Sequence, residues 1–319
     1  MRIAIILDPL PTIRTYKDST FAMMVEAASR GHELHVIMPD GLGWHEGLVS
    51  ARARRLELTG EDGPGAAWYR VDDARTEALS AFDAVLMRKD PPFDIEYVTA
   101  TWMLEHAVRQ GARVFNDPRA IRDHSEKLSI MQFDRFCAPT VVSRLADDLH
   151  RFIEQQGDVI LKPLDGMGGA GIFRVRVDDP NRNMIIETLT EQGGRTIMGQ
   201  RYLPAISEGD KRVLLIDGEP VPYCLARIPR SGETRGNLAA GGTGVARPLS
   251  ARDEEIARAI GPELARRGLL LVGLDVIGEH LTEINVTSPT CFREITDQTG
   301  CQVASLFVSA LERKVAAGA

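Results

Sequence analysis

Several things are scarce in this sequence, and each scarcity closes off a class of function. Only four cysteines occur in 319 residues, at positions 137, 224, 291 and 301, and no two of them form Cys-x-x-Cys. Neither a zinc ribbon nor a dithiol redox pair is indicated, and scattered thiols read as small buried groups of a reducing cytoplasm. The seven histidines supply no His-x-x-x-His pair for a metal on one helix face. No apolar run approaches the roughly 20 residues of a membrane span. The opening run, Met1 to Leu7, ends in Asp8 and Pro9 rather than a small-residue cleavage site, so it reads as a buried strand and not as a signal peptide. Basic residues are the minority, 38 Lys and Arg against 45 Asp and Glu, for a net charge of −7. That balance disfavours a nucleic-acid partner. The loop after the first strand, Asp8-Pro-Leu-Pro-Thr-Ile-Arg14, lacks Gly-x-Gly-x-x-Gly, which disfavours a dinucleotide.

What remains is an ordinary soluble composition, 44% hydrophobic and 26% charged, in a chain long enough for two or three domains. Residues 3–7 and 34–38 read as strands flanking a helix capped by Asp18 and Ser19, with Phe21, Met24, Val25 and Ala28 at helical spacing. This β-α-β pattern implies a parallel sheet with crossover helices. Residues 41–80 are punctuated by Gly41, Gly43, Gly60, Gly63, Pro64 and Gly65, with strand-like runs at 48–58 and 68–71 that suit a hairpin or an edge addition. Residues 84–87 form a buried strand. Asp94 opens a helix carrying Tyr97, Ala100, Leu104, Ala107 and Val108 on one face. Asp8, Arg88 and Lys89 lie just beyond strand ends, where open α/β sheets bind ligands; position alone also suits a solvated turn. A helix from Ser125 turns Leu128, Met131 and Phe136 inward. Strands are expected at 140–142, 159–161, 172–177, 197–203, 211–216, 222–228, 269–277 and 281–286. Helices are expected at 145–156, 181–191, 249–268 and 300–315. Residues 229–244 hold Gly and Arg without periodicity, as a lid or a disordered loop does.

Two stretches carry chemistry. The first runs from Ile160 through Lys162 into Gly166, Gly168, Gly169 and Gly171. Glycines leave backbone N–H groups free to close on an anion, and a lysine at the mouth adds charge. It is not Gly-x-x-x-x-Gly-Lys-Ser/Thr, and a strand follows it rather than a helix, so a Gly-rich hairpin is the plain alternative. The second stretch is Asp275, Glu283 and Asn285. Glu283 and Asn285 share one face of a strand, and Asp275 joins them if the intervening turn has an odd number of residues. The expected turn is the three residues Gly278-Glu279-His280. Two carboxylates and an amide oxygen on apolar strands suit a hard divalent cation such as Mg²⁺, with phosphate oxygens completing its shell. An exposed polar face is the alternative. Together the stretches point to Mg-ATP.

In this order the motifs resemble the bacterial-type glutathione synthetases of the ATP-grasp superfamily. The residues carrying the likeness are 87–93 (Met-Arg-Lys-Asp-Pro-Pro-Phe), 160–175, 209–213, 223–229, 232–242 and 281–290. The resemblance implies an α/β fold in three parts. These are an N-terminal parallel-sheet domain over 1–122, a central α+β ATP-grasp subdomain over 123–203, and a C-terminal subdomain over 204–319 with a lid at 229–244. It implies that Lys127 and Lys162 meet ATP phosphates beside Gly168 and Gly169, that Gln200, Tyr202 and Leu203 hold the adenine, and that Asp210 lies near the ribose. It assigns Mg²⁺ or Mn²⁺ to Asp275, Glu283 and Asn285. It places Arg212, Arg227 and Arg235 in the catalytic region, and Asp18, Ser19, Arg88, Ser288 and Thr290 at the substrate. The implied activity is ATP-dependent ligation of γ-glutamylcysteine and glycine by a cytoplasmic homo-oligomer, tetramer or dimer. Another ATP-grasp ligase and a non-catalytic ATP-binding module are the competing readings.

Overall fold

The computed structural model describes residues 1–60, 67–165, 168–230, 232–233, 236, 238 and 241–318. The chain begins with β1 (Arg2–Ile6), α1 (Ser19–Ser29), β2 (Glu33–His45), β3 (Leu48–Leu58), β4 (Tyr69–Val71), β5 (Arg75–Ala78), β6 (Ala84–Met87), α2 (Ile95–Arg109) and β7 (Val114–Phe115). The first sheet runs β4-β3-β2-β1-β6-β7, with β5 also on β3. Its centre is parallel, β2 and β6 flanking β1. Residues Ile3 to Ile6 are buried, as a parallel strand covered on both faces requires. Asp18 caps α1 by accepting from the Phe21 N–H at 2.7 Å, and Asp94 caps α2 through Tyr97 at 2.9 Å. Within α1, Met23, Met24 and Ala27 face the core, while Val25, expected inside, is exposed.

The glycines at 41 and 43 do not end β2. The strand bulges between Ile37 and Leu42 and continues as a long antiparallel ribbon with β3. A Cβ at Gly41 would lie 2.9 Å from the Met38 carbonyl oxygen, so this bulge admits only glycine.

Next come α3 (Pro118–Asp123), a 3₁₀ stretch (Leu128–Phe136), β8 (Thr140–Ser143), α4 (Ala146–Gln156), β9 (Asp158–Pro163), β10 (Phe173–Arg176), α5 (Arg182–Leu189) and β11 (Ile197–Arg201). The segment expected as a regular helix from Ser125 is instead 3₁₀ and kinked at Phe133, which leaves Met131 exposed. The second sheet, β10-β9-β11-β8, is antiparallel and closes over a small core of Leu149, Ile153, Val159, Leu161 and Val175.

The remainder is β12 (Asp210–Ile216), β13 (Glu219–Ile228), β14 (Thr243–Pro248), α6 (Ala251–Arg266), β15 (Leu271–Ile277), β16 (His280–Asn285), α7 (Phe292–Thr299) and α8 (Val303–Ala316). The third sheet runs β14-β13-β12-β15-β16. Neither β14 nor α7 is in the sequence-based expectation. The first and third sheets share their cores: Ile5 and Met24 pack in one cluster with Leu214, Phe292 and Phe307. Each such side chain, fully buried, contributes roughly 1.5–3 kcal/mol. Asn116 pins the junction. Its amide donates to the carbonyls of Leu271 (2.8 Å) and Val286 (2.9 Å), and its oxygen accepts from the Leu271 N–H (2.8 Å). The end of β16 is thereby held against the first sheet.

Candidate active site

The β15–β16 hairpin sets the acidic group. Its turn has two residues, Gly278 and Glu279, because Ile277 pairs with His280. An even turn would put Asp275 opposite Thr282. Instead Thr282 is the extra residue of a bulge, and Asp275 stands opposite Glu283. The expected juxtaposition is present, by a bulge rather than the expected three-residue turn. The Thr282 hydroxyl donates to the Asp275 carbonyl at 3.1 Å, which holds the bulge. Asn285 pairs with Gly273, and its Nδ2 donates to the Gly273 carbonyl at 3.2 Å, which orients the side-chain amide.

Asp275 is one link in a buried alternating chain of charge. Arg212 stands directly across from it on β12. Its Nε donates to Oδ1 at 2.6 Å and its Nη2 to Oδ2 at 3.2 Å. Arg227, on β13, reaches the same Oδ2 at 2.9 Å and Asp210 Oδ2 at 2.6 Å. Burial alone would raise the Asp275 carboxyl, but the two arginines outweigh it and hold Asp275 well below the usual carboxylate range. Asp210 goes the other way: burial, with Asp275 and Glu283 adding, outweighs Arg227 and pushes it up to about 7. Its Oδ1 is buried with no hydrogen-bond partner. Glu283 faces two lysines, with Lys162 Nζ at 3.3 Å and Lys127 Nζ at 3.8 Å.

A cleft of about 930 Å³, its open mouth included, lies between the second and third sheets. Lys127, Lys162, Gly168, Gly169, Gln200, Tyr202, Leu203 and Asp210 line it, together with Asp275 and Glu283. Apolar walls come from Ile160, Ile172 and Ile206. Gly168 and Gly169 have φ of 64° and 86°, a conformation that side chains other than glycine resist. Gln200 Nε2 donates to Thr140 Oγ1 at 3.3 Å. The Tyr202 ring is covered by the Arg174 guanidinium, 3.6 Å from its centroid. One end of the cleft is thus charged and the other flat and apolar, as a nucleoside polyphosphate requires.

A second cleft, about 1320 Å³, opens on the first-sheet side. Asp18, Arg212, Arg227, Asn285, Ser288 and Thr290 line it, and Gly168, Asp275 and Glu283 belong to both clefts. Burial raises the Asp18 carboxyl. Ser288 Oγ donates to Asp90 Oδ1 at 2.5 Å. Ser19 and Arg88 do not line this cleft. Ser19 Oγ accepts from the Phe292 N–H at 3.1 Å, and the buried Arg88 donates to Thr20 Oγ1 (3.1 Å) and the Pro289 carbonyl (3.0 Å). Both brace the wall from behind. Lys89 pairs with Asp8 at 3.6 Å. Arg235, Gly166 and part of 229–244 lie outside the described residues. Sequence reasoning missed Asp90, two places beyond Arg88 and legible by the same strand-end rule. It also missed Glu126, whose only signal is its position before Lys127.

The all-oxygen set Asp275, Glu283 and Asn285 lines one cleft, and its two carboxylates are already matched to cationic partners. Such a donor set fits a hard divalent ion.

Comparison with known proteins places this geometry in context. Residues 1–122 match the family model described as prokaryotic glutathione synthetase, N-terminal domain, and residues 126–300 match prokaryotic glutathione synthetase, ATP-grasp domain. The chain is 62% identical over 313 residues to a protein of Ralstonia nicotianae named glutathione synthetase, covering 98% of this chain and 96% of the relative. A protein of the same name from Nitrosomonas europaea is 59% identical over 316 residues, covering 99% of each. Among solved structures, the ATP-grasp ligase PsnB complexed with minimal precursor, Mg and ADP superposes with a TM-score of 0.62 at 18% identity, covering 98% of each chain. D-cycloserine synthetase DcsG superposes with a TM-score of 0.66 at 14% identity, covering 98% and 99%. At such identities these two share the fold.

Proposed function

The chain belongs to the prokaryotic glutathione synthetase family, and from that membership we propose which of its residues carry the reaction. It is an ATP-dependent carboxylate–amine ligase that joins γ-L-glutamyl-L-cysteine to glycine, giving glutathione, ADP and phosphate. The observation that carries the residue-level reading is the meeting of two clefts at Asp275 and Glu283, one suited to a nucleotide and one lined by arginines and acids.

In this reading ATP occupies the first cleft. Gln200 and the Tyr202–Leu203 backbone meet the adenine, and the unpartnered Asp210 Oδ1 receives a ribose hydroxyl. Lys127 and Lys162 meet the phosphates with the backbone of Gly168 and Gly169. Asp275, Glu283 and Asn285 hold a divalent cation, Mg²⁺ or Mn²⁺, which when bound offsets charge on the phosphates. The second cleft takes γ-glutamylcysteine along Asp18, Ser288 and Thr290, with Ser19 and Arg88 fixing that wall.

A carboxylate does not acylate an amine unaided. The cysteinyl carboxylate attacks the γ-phosphorus, ADP leaves, and an acyl phosphate forms. Lys162 stabilises the charge on the transferring group. Glycine's ammonium gives one proton to solvent; the freed amine attacks the acyl carbon, phosphate departs with the C–O bonding pair, and a second N–H proton leaves with the phosphate. Arg212 and Arg227, with Arg235 by family likeness, stabilise the oxyanion and bind glycine's carboxylate. Water at roughly 55 M competes for the acyl phosphate, so positioning must supply the advantage; oriented groups reach effective molarities of about 10⁵ M or more. We assign 1–122 to the substrate domain, and 123–203 and 204–319 to the two ATP-grasp subdomains. We place the enzyme in the cytoplasm as a homo-oligomer, tetramer or dimer. Among the described residues no helix is long and apolar enough to cross a membrane.

The test is phosphate release from ATP and Mg²⁺ with γ-glutamylcysteine and glycine, each omitted in turn, and the product identified by mass. Release that needs both substrates and matches glutathione formation is expected. Release with a different acid–amine pair would move the substrate assignment, and no release with any pair would end it.

A further inference from the structure

We propose that Glu126 is the carboxylate that receives the amino group of the acceptor, a specificity residue of the second cleft. The proposal rests on the ligase reading above.

Four observations lead to it. Glu126 lines the second cleft, while its neighbour Lys127 lines the first, so this dipeptide straddles the place where the clefts meet. Its backbone is fixed there, because its carbonyl accepts from the Ile284 N–H at 2.8 Å, between Glu283 and Asn285. Its carboxylate is aimed by one neutral contact, Thr287 Oγ1 donating to Oε1 at 2.8 Å. Lastly, no lysine or arginine among the described residues forms an ion pair with it, whereas Asp210, Asp275 and Glu283 all have cationic partners. A half-buried carboxylate with one neutral contact and no ion-pair partner is left to water or to a cationic ligand. The acceptor is a zwitterion. Its ammonium matches Glu126, and its carboxylate matches the guanidinium groups of Arg212 and Arg227 on the same cleft.

Thr287 gives the position its selectivity. A hydroxyl that already donates to Oε1 leaves Oε2 as the acceptor for an N–H, and a charge-assisted bond of that kind discriminates an ammonium from a neutral or anionic group. The chain thus carries a built preference for amino-acid acceptors over uncharged amines.

Glu126→Gln keeps the size and the Thr287 bond and removes the charge. The expected result is a KM for glycine raised about ten-fold or more, with KM for ATP and for γ-glutamylcysteine within about two-fold of wild type. Formation of the acyl phosphate, followed without glycine by ¹⁸O scrambling in ATP, is expected to be unchanged. Hydroxylamine is uncharged at neutral pH, so its capture as the hydroxamate should match wild type. Glu126→Asp, which keeps the charge, should recover part of the glycine affinity. An unchanged KM for glycine would overturn the proposal. So would a parallel loss of glycine and hydroxylamine use, which marks a structural role, or a rise in KM for γ-glutamylcysteine instead. If wild type itself makes no glutathione, the ligase reading fails first and this assignment with it.

Discussion

Asp275→Asn is the most informative single change. The side chain keeps its shape and loses one charge from a pair of guanidinium contacts in which Asp275, Arg212 and Arg227 are each more than nine-tenths buried. Arg227 retains Asp210, but Arg212 is left without a counter-ion. Breaking a buried pair by removing one partner costs about 3–5 kcal/mol, because a buried charge is left uncompensated. Native proteins are stable by only about 5–15 kcal/mol, so the loss is a large fraction of the whole. Read by far-UV circular dichroism in urea, it should lower the midpoint on the order of 1 M. The double variant Asp275→Asn with Arg212→Met removes one charge of each sign and leaves the Arg227–Asp210 pair intact. It should be more stable than Asp275→Asn alone. Because the Asp275 pKa is depressed in the fold, its contribution is fully present above the unfolded value near 3.8 and is lost as pH falls toward the folded value. The Asp275 part of the gap between wild type and variant should therefore narrow below about pH 4. A midpoint equal to wild type, or a double variant worse than the single, would refute the reasoning.

Three further outcomes follow from the same geometry. Lys162→Ala should weaken ATP binding by roughly ten- to a hundred-fold, the value of a charge-assisted contact, in equilibrium titration without acceptor; unchanged affinity would remove Lys162 from the phosphate site. Asp210 has a folded pKa of about 7, raised from 3.8, so its contribution to stability is present below the unfolded value and lost as pH rises through about 7. From about pH 6 to about pH 8 the urea midpoint of wild type should therefore fall relative to Asp210→Asn, and parallel curves would contradict this. Gly261→Ala places a Cβ 2.0 Å from the Gly218 carbonyl oxygen, a backbone atom that cannot swing aside. The gain in helix propensity, about 1 kcal/mol, should be outweighed by overpacking of about 3 kcal/mol, seen as a lower urea midpoint.

Much of the fold was legible because local signals agreed with the final packing. The caps Asp18 and Asp94 and the apolar run of β1 each have one good structural solution. The misses share a cause. β14 (Thr-Gly-Val-Ala-Arg-Pro) has little strand propensity and forms because β13 offers it an open edge. α7 follows Cys291, which has a φ of 88° and supplies no side-chain cap, so no start signal exists, and the helix is held by burial of Phe292 and Ile295. Met131 is exposed because the helix expected there is a kinked 3₁₀ run, a change of period that the apolar spacing does not encode.

The sequence by itself determined which chemistry is present. Lysine beside glycines, and two carboxylates on neighbouring strands, are residue types that suit an anion and a hard cation. Their ordered motifs carried the family likeness. Tertiary structure decided which atoms meet. The bulge at Thr282, not the turn length, brings Glu283 opposite Asp275. The alternation Arg212–Asp275–Arg227–Asp210 draws on three strands whose register is set by sheet pairing across more than sixty residues of sequence. Glu126 has no local signal beyond its place before Lys127. It becomes a candidate only because folding sets it, half-buried and without an ion-pair partner, on the second cleft beside Lys127 on the first, a placement that residue order does not contain.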